Sequence, residues 1–147
     1  MRFHDPITHL RSHLTKPELE QMRNTALSIA GFAAALIIFL AQSKGQPSFS
    51  TVALWASIVS LLAWLFGAQY ISAYLVHSEK TYSHINVYLS ALIGIVGYMS
   101  LFIAVVATVW QISVSAALFL MLSGVVLGAC VFFHLRAVER ICNEQDA

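Results

Sequence analysis

Six histidines and two cysteines are the side chains of this chain best suited to holding a metal or relaying a proton. The histidines are His4, His9, His13, His77, His84 and His134. His9 and His13 are four apart, a spacing that could chelate a metal on a helix. His77, His84 and His134 each stand where an apolar stretch meets polar sequence, so a diiron or haem site there is one reading. Against it, membrane diiron enzymes use many more histidines in HxxxH and HxxHH boxes. A haem held across a bundle would also want histidines inside the apolar stretches. The simpler reading is a set of interfacial histidines beside lipid headgroups. Cys130 and Cys142 lie in no CxxC pair and form neither a disulfide framework nor a zinc site.

Other chemistry is missing from the sequence. There is no GxSxG, no Ser/His/Asp arrangement, no intramembrane Asp pair and no glycine-rich phosphate loop. The expectation is a protein without enzymatic activity, cofactor or metal.

Composition explains what the elements must be. Of 147 residues, 59% are hydrophobic and 10% charged, where an average soluble domain carries about 25% charged residues. A chain this short cannot bury so much apolar surface in one soluble core, so the bilayer is its solvent. The net charge of +1 offers no basic field to nucleic acid.

A membrane helix needs about 20 mostly apolar residues. Four such stretches occur: Thr25–Gln42, Phe49–Val76, Ile85–Trp110 and Ser113–Leu135. None contains Asp, Glu, Lys or Arg. The fold class expected is all-α, a polytopic four-helix transmembrane bundle over residues 25–135. Residues 1–24 precede it as an N-terminal segment with an amphipathic lead-in, and residues 136–147 follow as a tail.

Local signals set the boundaries. Thr15-Lys16-Pro17-Glu18 has the form of a capping box with Pro in the first turn. Lys44-Gly45-Gln46-Pro47-Ser48 is a turn of helix breakers, with Ser48 or Ser50 available to cap the next helix. Only Trp110-Gln111-Ile112 separates the last two spans, which must therefore be antiparallel neighbours. Arg2, Arg11, Lys16, Arg23, Lys80, Arg136 and Arg140 fall on one side of this topology and Lys44 alone on the other. The excess of Lys and Arg on cytoplasmic loops then places both termini in the cytoplasm of a bacterial inner membrane. Trp55 and Trp110 near one interface, and Tyr70, Tyr74, Tyr82 and Tyr88 near the other, read as aromatic belts. Trp64, at mid-span, reads as packed between helices.

The spans carry no charge, which argues against ion-coupled transport, since coupling needs a titratable group in the bundle. Small multidrug exporters of this size keep a glutamate in their first span, and TALSIAGFAAALIIFLAQ has none. Small or weakly polar residues recur instead: Gly31 in span one, Ser57, Ser60 and Gly67 in span two, Gly94 and Gly97 in span three, and Gly124 and Gly128 in span four. Such positions allow close helix approach in lipid. Packing within one bundle is the simpler reading. The alternatives are a homo-oligomer interface or the lining of a neutral pore that would also use Gln69.

Nearly all polar chemistry falls on the side assigned to the cytoplasm. Arg23, His77, Lys80, His84, His134, Arg136 and Arg140 are therefore the candidate contacts to a cytoplasmic protein partner. The leading expectation is an integral membrane subunit that self-associates and anchors or signals to such a partner. Stress, secretion and anti-phage systems all employ membrane pieces of this kind, and the sequence selects none of them. An oligomeric channel or permeabilising effector is the second reading, and a metal or haem protein using the cytoplasmic-side histidines the third. A fluorescent reporter fused after Ala147 is expected to light up in the cytoplasm, and a phosphatase fused there to stay inactive. The opposite pair of readouts would overturn the cytoplasmic placement of the C-terminus.

Overall fold

The computed structural model describes residues 15–42, 47–77, 82 and 85–145. These form four helices: α1 (Lys16–Gln42), α2 (Pro47–Leu75), α3 (Val87–Ile112) and α4 (Val114–Gln145). Helices α1, α2 and α3 are each long and apolar enough to cross a membrane. The apolar part of α4, Val114–Cys130, is shorter.

Each helix starts for a local reason. The backbone N–H of Thr15 donates to Oε2 of Glu18 at 2.8 Å, and the Thr15 hydroxyl donates to the same oxygen at 3.0 Å. This satisfies a donor at the helix start, so α1 begins nine residues before the apolar stretch that starts at Thr25. Pro47 opens α2, where its missing N–H costs nothing; Ser48 and Ser50 consequently lie inside the first turn rather than ahead of it. Asn86 caps α3 by accepting from the N–H of Leu89 at 3.2 Å. The joint between α3 and α4 is the single residue Ser113, whose extended backbone interrupts the helix. It is tighter than the Trp110–Ile112 link expected from sequence, because those three residues stay helical.

Helix α2 is the centre of the bundle. It packs along α1 on one side and α3 on the other, whereas α4 leans lightly on α3. Contacts run in antiparallel order: Leu19 lies near Leu75, Ala26 and Ala30 near Trp64 and Ala68, and Leu40 near Ala53. The interior is built from alanine and serine: Ala33, Ala53, Ala104, Ser57 and Ser60 are completely buried. Close helix approach at small residues is what association in lipid requires, since lipid tails are as apolar as leucine.

One bulky group interrupts this small-residue interior. Trp64 of α2 is 8% exposed and packs with Ala26, Ala30 and Ala68. A Cβ built on Gly97 of α3 would stand 2.7 Å from the Trp64 indole nitrogen, so only glycine lets α3 pass the ring. The Gly97 carbonyl also accepts from the Ser60 hydroxyl at 3.1 Å. A carbonyl has two lone pairs, which permits this bond beside its helical one.

The small-residue positions separate accordingly. Ser57, Ser60, Gly67 and Gly97 are buried between helices. Gly124 receives the Phe102 ring of α3, which an added Cβ would meet at 2.7 Å. Gly31, Gly94 and Gly128 have nothing within 4 Å of an added Cβ. For Gly31 and Gly128 the reason is that they face away from the core, so they are not packing positions within this bundle. The Ser57 hydroxyl bonds the Ala53 carbonyl at 2.7 Å, as buried helical serines do when no water is near.

Two alanine substitutions test the packing at glycine. Gly97→Ala should lower the unfolding free energy in mixed micelles by about 1–3 kcal/mol through overpacking against Trp64. Gly31→Ala should be neutral or stabilise by up to about 1 kcal/mol, the helix-propensity gain. Equal effects at both sites would contradict the packing just described.

Candidate functional site

The α2 and α3 ends nearest Thr15 are tied by tyrosines. The Asn86 N–H donates to the Tyr70 hydroxyl at 2.9 Å. Tyr70 and Tyr74 share a hydroxyl–hydroxyl hydrogen bond of 3.2 Å, with their rings edge to face. Below them Leu19, Tyr82 and Ile85 form a buried cluster against Ile71 and Leu75. The lead-in residues of α1 are thus part of the bundle: Leu19 is 1% exposed. The lead-in is one-sided, as an amphipathic segment should be: Leu19 is buried, whereas Met22 is 46% exposed.

Above this floor the helices part. Helices α1 and α3 come together around Ala53 through Leu40 and Ala107 near the far end, and towards Thr15 residues of both line a shared space over α2. The result is a cleft of about 550 Å3 with α2 as its back wall. Its mouth holds Glu18, Gln21, Thr25 and Ser90. Deeper, it is walled by Ile71, Ile93, Gly67 and Gly94, and it ends at Trp64 and Tyr98. Those last two rings meet edge to face with centroids 4.6 Å apart. From Glu18 to Ala26 the cleft follows eight residues of α1, about 12 Å at 1.5 Å per residue. It is therefore polar at one end and aromatic at the other, and its size falls within the range of about 300–1,000 Å3 common for small-molecule sites.

The residues expected to meet a partner are dispersed. Arg23 is half-buried; one guanidinium nitrogen donates to Asn24 Oδ1 at 3.4 Å, while its Nε is shielded from solvent with no acceptor among the described residues. His77 is exposed, and its Nδ1 lies 2.6 Å from the Ala73 carbonyl. His134 and Arg136 are exposed on α4. Lys80 and His84, like His4, His9 and His13 and the turn at 43–46, lie outside the described residues. Arg140 lies within α4. Among the described residues no three His, Cys, Asp or Glu side chains converge as a metal site would need. Gln69 is exposed on α2, away from the buried serines.

Helix α4 extends beyond its apolar part. The helix continues without a break from the apolar part ending at Cys130 to Gln145. Its last fifteen residues extend about 22 Å at 1.5 Å per residue. They carry Arg136, Glu139, Arg140 and Glu144 in sequence.

Sequence reasoning had no way to pair Tyr70 with Asn86 or to see the cleft, which draws on three helices at once. The usable signals were Asn86 ahead of an apolar run, which marks a cap, and Gly67 and Gly94, which leave room beside Trp64. The fold defines an all-helical protein with three helices of membrane-crossing length. No protein family, curated protein or solved structure matches the chain.

Replacing Tyr70 with Phe removes the acceptor of the Asn86 N–H and should cost about 0.5–1.5 kcal/mol of stability. Tyr74→Phe leaves that bond in place and should cost less. Chemical unfolding in mixed micelles compares the two, and a larger loss for Tyr74→Phe would remove the hydroxyl of Tyr70 from its role as a helix tie.

Proposed function

We propose that this protein is a non-enzymatic integral membrane subunit that self-associates and holds a cytoplasmic protein partner. The observation that carries this reading is the unbroken run of α4 beyond its apolar part to Gln145. A rigid helix with charged residues, projecting from an apolar helix, is a suitable stalk for docking another protein. In this reading α4 crosses the bilayer with Phe133 at the headgroups, so that both termini face the bacterial cytoplasm. Arg136, Arg140, His134 and the half-buried Arg23 offer the contacts, with His77, Lys80 and His84 between spans two and three.

Self-association draws on a second feature. Helix α4 touches only a small part of α3, and Leu118, Phe119, Leu122, Val125 and Val126 on it are exposed. Gly128 is open to close approach by another helix. The channel reading is less supported, because the Ser57 and Ser60 hydroxyls are buried on carbonyls of the bundle instead of facing a water path.

Gentle purification from the native membrane followed by native mass spectrometry tests the proposal. A soluble protein should co-purify, and Arg136→Ala with Arg140→Ala should reduce its recovery while leaving insertion intact. Cys130 is an exposed free thiol on α4, so a chain keeping it as the single cysteine should form covalent dimers on mild oxidation. A homo-oligomer with no protein attached, conducting ions in planar bilayers, would replace this reading with the channel. A monomer that neither cross-links nor captures protein would end both.

A further inference from the structure

We propose that the cleft between α1, α2 and α3 seats one hydrocarbon tail of a bilayer phospholipid, drawn from the leaflet nearest Thr15. The proposal rests on the membrane placement of α1–α3 in the reading above and is independent of partner docking. Three features of the cleft carry it. First, its lining changes character along its length. Gln21, Thr25 and Ser90 at the mouth can hydrogen-bond the ester region of a lipid, while Ile71, Ile93 and Trp64 further in present hydrocarbon and an aromatic ring. Second, its length fits one leaflet. The cleft follows α1 from Glu18 to Ala26, about 12 Å, and half of a hydrocarbon core of about 30 Å is about 15 Å. Third, the cleft is continuous with the surface that meets lipid. Met22 on the α1 side and Tyr98 on the α3 side both line it, and they are 46% and 54% exposed. A tail can therefore enter sideways from the bilayer.

The bundle leaves room for the tail at Gly94, which lines the cleft and where an added Cβ meets nothing within 4 Å. The hydrophobic effect does not hold it there, because lipid already surrounds the helices. Packing does: a chain in the cleft touches three helices, where a flat face offers one, and each close atom pair adds a small dispersion term. The Trp64–Tyr98 pair closes the inner end, so the end of the chain stops against those rings. Glu18 keeps its place in the α1 cap and is not needed to hold an uncharged tail.

A chain with Trp64 as its single tryptophan, made by Trp55→Phe with Trp110→Phe, reports on the inner end of the cleft. The full-length protein is placed in phosphatidylcholine nanodiscs whose lipid carries bromine near the end of one acyl chain, because bromine quenches an indole on contact. Trp64 should be quenched although the bundle leaves its ring only 8% exposed. Bromine placed next to the headgroup should quench it far less. Gly94→Leu occupies the cleft, so it should lose most of the quenching with helicity and thermal unfolding unchanged. Thr25→Phe, at an exposed position of the mouth, should lose it as well and stands in should Gly94→Leu fail to fold. Native mass spectrometry should show a retained phospholipid that the Gly94→Leu protein lacks. Failure to enter nanodiscs overturns the membrane reading and this proposal with it. In a protein that does enter, an unquenched Trp64 overturns the proposal alone, and a dimer in that case points to a second copy in the cleft. Quenching retained in full by folded Gly94→Leu and Thr25→Phe proteins also overturns it, since lipid then reaches the ring by another route.

Discussion

The contact of Trp64 with Gly97 governs the rest of the bundle. A tryptophan among alanines would hold neighbouring helices apart unless each gave way. Helix α1 gives way with Ala26 and Ala30, and α3 with a residue that has no side chain at all. Once α3 passes that closely, Ser60 can reach across to the Gly97 carbonyl. Interhelical hydrogen bonds of this kind in membrane proteins average about 0.6 kcal/mol. Here the bond fixes register more than it adds strength. The same ring sets the depth of the cleft, because Trp64 with Tyr98 forms its inner end.

Polar groups in an apolar solvent must find partners within the protein. The described side chains largely do so by the shortest route. Ser57, Ser72, Ser100 and Thr108 return their hydroxyls to carbonyls one turn back. The end near Thr15 is tied by a capping carboxylate, an Asn cap and the Tyr70 hydroxyl. Stability at that end rests on directional bonds and on the Leu19–Tyr82–Ile85 cluster. The opposite half relies on alanine-to-alanine closeness.

Helix α4 has a different character from the other three. It turns back along α3 through one extended residue, and Phe102 sits on Gly124, each eleven residues from Ser113. Beyond that contact the helix continues through polar sequence to Gln145.

The sequence by itself determined the solvent and the element type. Long uncharged runs can satisfy their backbone in lipid only as helices, so α1–α3 were legible from composition, and the capping box at Thr15 and the burial of Trp64 from local pattern. The start of α1 at Lys16 followed from that capping box, but the reach of α4 was not legible: it runs to Gln145, because continuing helical hydrogen bonds are insensitive to where the apolar run stops. Nor could the sequence sort its glycines. Gly31 and Gly97 look alike as small residues on apolar helices, yet one faces outward and the other lies under an indole ring. That distinction depends on the rotation of each helix about its own axis. Membrane helices lack a hydrophobic face to set this rotation, and close packing of neighbours decides it. The cleft, which needs Glu18, Trp64 and Gly94 from three separate helices, follows from the same tertiary choice.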